Sequence, residues 1–252
     1  VEAVEVVRSP LLLREGGCLH AFAGVDAVPG RGGRERLRDA FSLSPDRVGT
    51  LAQVHSATVL ELSPADLGNP DGGARKGDGL YTDRPGYAVA VRTADCVPVL
   101  LSNRRVPVVA AVHAGWRGLA GGIVGEAVRA LEERYGEAVL DGLVAAVGPC
   151  ASGCCYEVGG EVAEALLPLP GGASSIRRGA AAGKWMAHLP GVALALLRDA
   201  GVRSAEAVGP CTVCSPRFHS YRRERSSSAR QLSFVAVPPR GRGARPAPGE
   251  GG

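Results

Sequence analysis

The chain has 252 residues, 45% of them hydrophobic and 21% charged, with a net charge of +4. That is enough for one large domain or two small ones with a sizeable core, and too little positive charge to argue for a nucleic-acid partner. No apolar stretch is long enough to span a bilayer. The first residues, VEAVEVVRSPLLLREGG, are acidic and interrupted, unlike a secretory signal. These features lead us to expect a cytoplasmic protein with no membrane partner. The seven cysteines (18, 96, 150, 154, 155, 211 and 214) are odd in number and spread along a long chain, so reduced thiols are expected rather than a disulfide framework.

In chain order, LHAFAGV (19–25) reads as an early strand and RGGRERLRDAFSL (31–43) has helical spacing. VGTLAQVHSATVLEL (48–62) alternates as one long strand or a hairpin. SPADLGNPDGGARKGDG (63–79) is rich in turn residues and predicts a loop. YAVAVRTADCVPVLLS (87–102) and VPVVAAVHAG (106–115) read as strands joined by a short turn, hence a hairpin. GLAGGIVGEAVRALEERYG (118–136) repeats apolar residues at helical spacing and stops at Gly136. LVAAVGPC (143–150) reads as a buried strand. EVGGEVAEALLPL (157–169) and LPGVALALLRDAGV (189–202) read as helices. SAEAVGPCTVC (204–214) and RQLSFVAV (230–237) read as late strands. The tail from Pro238 has nothing to bury and is expected to be disordered. The whole predicts a single mixed α/β domain over residues 1–237 and a tail over 238–252.

Asp95 and Cys96 interrupt an otherwise apolar run, VRTADCVPVLL. If the 87–102 and 106–115 strands pair, Cys96 comes beside His113, and a third strand can bring in His55. Two imidazoles and a thiolate suit a borderline metal and leave a fourth position open, as catalytic zinc requires. Asp95 would then project from the opposite face of its strand, toward a backbone donor or an arginine. The plainer alternative is a buried, inert cysteine and two satisfied histidines. HAGWRG (113–118) opens a helix where backbone N–H groups favour an anion. There Arg117 adds a guanidinium fork and Trp116 offers a stacking face, unless the stretch is only a tight turn.

Three further clusters stand out. CASGCC (150–155) and CTVC (211–214) are similar to two halves of a four-cysteine zinc site, although the first half is not C-x-x-C. Both follow the same Val-Gly-Pro, which two like strand ends would explain equally well. KGDGLYTD (76–83) holds Asp78 in a glycine-flanked turn, where it either serves as an acid or base or merely makes the turn. FHSYRRERSSSAR (218–230) is an arginine cluster interrupted by Glu224, better suited to a solvated rim or a phosphate contact than to nucleic acid.

QVHSATV, GDGLYT, RTADCVPVLL, AAVHAGWRGLAGGIV, GPCASGCCYEVG and SYRRE occur in this order. Together they resemble the laccase-domain family, also called polyphenol oxidase or purine nucleoside phosphorylase, over roughly residues 18–237. The resemblance implies a four-layered α/β/β/α fold and a metal triad of His55, Cys96 and His113. It also implies zinc-dependent phosphorolysis of adenosine, inosine, guanosine or methylthioadenosine, and deamination of adenosine. The partners would be a purine nucleoside and phosphate, and the protein a monomer or weak homo-oligomer. On this reading Asp78 transfers a proton and Arg117 binds the anion, with Asp95, Trp116, Tyr221 and Arg222 around the substrate. The chain departs from the family pattern in four places. The early Arg-Gly-Gly is replaced by AFAGVDAVPG. Ser152 stands for a glycine, His188 for an aspartate and His219 for an aromatic residue.

Three rival readings remain at this stage. Five histidines are too few for a multicopper oxidase, and the sole methionine, Met186, is remote from a single His₂Cys copper site. A Cys–His hydrolase would use Cys96 as nucleophile and His113 as base. A catalytically weakened zinc-binding interaction module is the third.

Overall fold

The computed structural model describes residues 6–25, 41–68, 73–225 and 229–239. Its strands, in chain order, begin with β1 (Val6–Val7), β2 (Leu19–Ala23), β3 (Val48–Gly49), β4 (Val59–Glu61) and β5 (Gly79–Thr82). The hairpin region follows as β6 (Ala88–Thr93), β7 (Val97–Asn103) and β8 (Val108–Ala114). Helices α1 (Trp116–Ala120) and α2 (Ile123–Tyr135) lead to β9 (Leu143–Val147), β10 (Glu157–Val158), α3 (Gly160–Leu166) and α4 (Gly172–Ser175). Then come β11 (Ile176–Arg178), β12 (Trp185–Ala187), α5 (Leu189–Asp199), β13 (Ser204–Ala207), α6 (Tyr221–Glu224) and β14 (Gln231–Ala236).

The strands form a five-stranded sheet, β1-β2-β14-β6-β3, a six-stranded sheet, β13-β9-β7-β8-β5-β4, and a small sheet, β10-β12-β11. Both large sheets mix parallel and antiparallel pairs, so the expected mixed α/β fold is the observed one. Alternation along each strand divides the core. Val97, Val99 and Leu101 of β7, with Ala110 and Val112 of β8, face Ile123, Val124 and Val128 of α2 and Val192 and Leu197 of α5. The other parity, Leu100, Val109 and Ala111, packs against Phe22, Val89, Val91 and Val235 of the five-stranded sheet. The outer face of that sheet buries Ala21, Ala88, Leu232 and Phe234 with Phe41 and Leu43. Helix, sheet and sheet are thus three of the four expected layers. The helix predicted over 31–43 lies almost wholly outside the described residues, as does the tail beyond Pro239.

Three predicted elements break where a side chain or a glycine forces the backbone out of register. The expected single strand over 87–102 is two strands in different sheets: β6 pairs with β14, and β7 with β8 and β9. The break falls at 94–96, with Asp95 at φ 80°, a left-handed value that an aspartate tolerates better than most residues. The stretch 48–62 is neither one strand nor a hairpin. β3 pairs parallel with β6, β4 pairs parallel with β5, and the chain between them is irregular, with His55 at φ 60°. The helix over 118–136 is divided at Gly121–Gly122, where Gly122 adopts φ 83°. The predicted hairpin does form between β7 and β8, with Pro98 opposite His113.

Phe22 anchors the layer between the two large sheets and is 1% exposed. Truncation to alanine is expected to destabilise the fold by about 3–5 kcal/mol. Leu13→Ala, at a side chain 52% exposed, should cost no more than about 0.5 kcal/mol. Urea denaturation of both variants checks the difference.

Candidate metal centre and binding cavity

The site is built around one buried carboxylate. Asp78 immediately precedes β5, which pairs with β8, so it lies beside His113. His113 Nδ1 donates to Asp78 Oδ1 at 2.8 Å, and the His113 backbone N–H donates to the Asp78 carbonyl at 2.7 Å. The same carboxylate accepts the backbone N–H groups of Val54, His55 and Ser56 at 3.2, 3.0 and 2.6 Å, and the Ser56 hydroxyl at 2.7 Å. These bonds gather the 54–56 backbone around the carboxylate and hold His55 in its left-handed conformation. Asp78 is 1% exposed. Burial alone would raise its pKa, but His113 and the Ser56 donors overcome that and hold it well below the usual carboxylate range.

Around this anchor His55, Cys96 and His113 bring one ligand atom each into a group whose members all lie within 4.8 Å of one another. Cys96 Sγ is 3.9 Å from His55 Nε2, and the two imidazoles meet edge to face with centroids 4.8 Å apart. Burial opposes ionisation of Cys96, yet His113 and His55 bring its pKa down to about 6. Burial likewise opposes charging of His113, while Asp78 and Cys96 lift it to about 9. Without metal both shifts favour the thiolate–imidazolium form of the pair. The donor set itself fits a borderline divalent ion. It offers two imidazoles and a ready thiolate, with Asp78 fixing the Nδ1 of one imidazole so that Nε2 faces the group. Gly115 supplies the space: a Cβ there would lie 3.0 Å from Cys96 Sγ and 3.2 Å from a His55 ring carbon.

The triad opens into a cavity of about 520 Å³. Asp95, Trp116, Arg117, Tyr221 and Arg222, all singled out from the sequence, line it together with the triad, whereas Asp78 lies beneath. Gln53, Arg92 and Tyr156 also line it and were missed, although each sits inside a quoted motif. Gln53 pairs with the Arg92 backbone through two 2.8 Å bonds. The Arg222 guanidinium lies 5.0 Å from the Tyr156 ring centre, and that of Arg117 lies 4.3 Å from the Trp116 ring centre. With Arg230, four arginines border the cavity. The cavity thus offers arginines rather than a long helix start to an anion, since α1 has only five residues.

The two aspartates of the site are both held by donors from distant segments. Asp95 does not project from a strand face, because there is no strand at that point. It is buried, and its carboxylate accepts the Thr212 hydroxyl and the Arg222 backbone N–H, both at 2.7 Å. The acid in the apolar run thus fixes the crossing from one sheet to the other and ties down α6. Asp78, expected to transfer a proton, accepts from the 54–56 segment and from His113, so it ties the two histidine segments together. Neither His188 nor His219 joins the triad group. Two departures from the family pattern instead meet each other, with Ser152 Oγ 2.8 Å from His188 Nδ1.

Residues 28–238 match the family described as multi-copper polyphenol oxidoreductase laccase. The chain is 38% identical over 205 residues to purine nucleoside phosphorylase YfiH of Escherichia coli, covering 80% of this chain and 78% of that one. It is 39% identical over 210 residues to a purine nucleoside phosphorylase of Mycobacterium tuberculosis, covering 80% and 77%. The crystal structure of the YlmD protein of Geobacillus stearothermophilus superimposes with a TM-score of 0.82 at 28% identity, covering 94% of this chain and 98% of that one.

Gly115→Ala is expected to crowd the triad. Overpacking costs about 1–3 kcal/mol, which as metal affinity is a loss on the order of tenfold to a hundredfold, measurable by chelator competition. In metal-free protein, alkylation of Cys96 by iodoacetamide should lose rate as pH falls through about 6. The cause is protonation of a thiolate whose pKa is depressed from 9.0. In His113→Ala the midpoint should move upward. Peptide mass spectrometry reads Cys96 separately from the other thiols.

Proposed function

Because this chain belongs to the multi-copper polyphenol oxidoreductase laccase family, we propose that it is a purine nucleoside phosphorylase whose His55, Cys96 and His113 hold a zinc ion. The observation that carries this reading is the convergence of three donors, one oriented by Asp78, at the edge of a nucleoside-sized cavity bordered by four arginines. The relatives' names supply the reaction class.

Phosphorolysis replaces the C1′–N9 bond of the nucleoside by a C1′–O bond to phosphate. The base leaves with the bonding electron pair and takes up a proton. When bound, the ion supplies Lewis-acid charge at the triad end of the cavity. Arg117 and Arg222 are assigned to the phosphate, where fixed cationic donors stabilise charge as it moves. Trp116 and Tyr221 border the space for the planar base. Asp95 is assigned to orienting Arg222 through its backbone N–H, and Asp78 to positioning the two histidine ligands. Hydrolytic deamination of adenosine at the same site belongs to this proposal, since it needs the Lewis acid and water but no phosphate. A cytoplasmic location fits the seven free cysteines, and no helix among the described residues is long and apolar enough to cross a membrane.

Asp78, His113 and Cys96 also have the order of a carboxylate, base and thiol nucleophile, which favours a Cys–His hydrolase as the second reading. That arrangement gives no purpose to His55, whose ring nitrogen approaches the same sulfur and whose backbone the same aspartate holds. A multicopper centre finds no further histidine near the triad among the described residues.

Zinc-loaded protein given adenosine and phosphate is expected to yield adenine and a ribose phosphate, with ammonia release reporting deamination. Nucleoside-independent hydrolase activity in chelated protein, abolished by iodoacetamide, would select the thiol reading instead. Asp78→Asn should weaken zinc binding by about 10–100-fold and regain turnover in excess zinc. A variant that stays inactive when fully loaded would return Asp78 to proton transfer.

A further inference from the structure

The second cysteine group is distinct from the triad. Cys154, Cys155, Cys211 and Cys214 place all four sulfurs within 4.8 Å of one another. Cys214 Sγ lies 2.6 Å from Cys155 Sγ and 3.4 Å from Cys154 Sγ. A tetrahedral zinc ion with Zn–S bonds of about 2.3 Å needs sulfurs about 3.8 Å apart, so enclosing one requires Cys155 and Cys214 to part by about 1.2 Å. Cys150, the first cysteine of the CASGCC run, is 2% exposed and is not in the group. It forms a parallel bridge with Cys211. The repeated Val-Gly-Pro-Cys is thus explained by two adjacent parallel strands, β9 and β13, ending alike. The cysteine group is a separate feature built just beyond those ends.

The surroundings suit four thiolates and a divalent ion, which together carry a net charge of about −2. Against the effect of burial, backbone N–H groups of Cys214, Ser152 and Val213 near Cys211 lower its pKa, as donors that stabilise a bound thiolate would. Each cysteine segment also holds an arginine on its carbonyls. Arg177 donates to Gly153 at 3.0 Å, and Arg223 donates to Thr212 and Ser215 at 2.6 and 3.0 Å. Both cationic side chains are thus tied to the segments that carry the cysteines.

We propose that Cys154, Cys155, Cys211 and Cys214 form a second, structural zinc site that clamps the 150–155 loop to the 211–214 turn. All four positions are filled by protein, so no ligand position is left for substrate. The clamp has a mechanical consequence for the cavity. Thr212, inside the 211–214 turn, donates to Asp95, and Asp95 holds the Arg222 backbone. Arg223 links the same turn to α6. Fixing the turn therefore fixes one wall of the cavity.

The test is zinc content by mass spectrometry of protein purified under reducing conditions. Cys154→Ser/Cys214→Ser is expected to carry one zinc per chain fewer than wild type. Cys96→Ser, which removes a triad ligand and leaves the cluster intact, should keep one zinc per chain. X-ray absorption of that remaining zinc should show sulfur neighbours only, at about 2.3 Å. If Cys154→Ser/Cys214→Ser does not fold, the Cys96→Ser measurement decides alone. Equal zinc in wild type and the double variant would overturn the proposal. So would a Cys96→Ser protein without zinc, nitrogen neighbours in its spectrum, iron in place of zinc, or a Cys155–Cys214 disulfide in protein isolated without reductant. Zinc that is lost with Cys154 and Cys214 but unchanged in Cys96→Ser would support the clamp while removing the metal from the triad.

Discussion

A buried carboxylate in this fold must either be neutralised or be surrounded by donors, and Asp78 takes the second course. An ionised group left unsatisfied in the interior would cost several kcal/mol, so the donors it needs constrain the chain wherever they come from. Three of them are consecutive amides of the 54–56 segment, which forgoes sheet pairing there and brings the His55 ring beside Cys96 and His113. Another is the imidazole of His113, which belongs to a strand held by seven residue pairs to β7. One side chain thus couples an irregular loop to the most regular hairpin in the molecule. The triad is the geometric result of that coupling.

The chemistry-bearing residues were legible in the sequence because their types are uncommon and their setting is local. His113 ends a run of small and branched apolar residues, and that run becomes β8 as expected. The β7–β8 pairing also follows from a short polar turn between two apolar stretches. The division of 87–102 was not legible, since apolar residues continue on both sides of Asp95. What breaks the strand is a pair of donors more than a hundred residues away, Thr212 and the Arg222 amide. No local pattern encodes such a partner. The 48–62 stretch failed for the same reason, because its alternation is real but the pull of Asp78 on three amides outweighs it.

Acidic residues were the hardest to assign. An aspartate in a glycine-flanked turn beside a metal triad suggests proton transfer when only residue types are visible. Burial and donor count bear on which role such a carboxylate can take, and both are properties of the folded chain. A group whose pKa is held far below the usual range is a poor proton donor at neutral pH. The arginines show the opposite situation. The sequence offered Arg117 and the 218–230 cluster, and the fold adds Arg92 from β6, so that arginines from separate segments border one cavity. A phosphate-binding face can be built this way without a glycine-rich loop or a long helix, at the cost of depending on tertiary packing to keep the arginines together.

That dependence places a requirement on the wall that carries Arg222. Helix α6 is a single turn of four residues, far too short to be stable alone. Its backbone is held by Asp95, and the 211–214 turn is held by Arg223 and by Thr212. Remove the constraint on that turn and Asp95 loses one of its two donors, while α6 loses one of its attachments. Asp95 is itself the residue at which the chain crosses from one sheet to the other, and Cys96 is next to it. The position of the triad sulfur and the position of Arg222 are therefore set by the same carboxylate. A cross-link among the neighbouring cysteines acts on both at once, which is why a half-exposed cluster outside the triad matters for how well the cavity is formed.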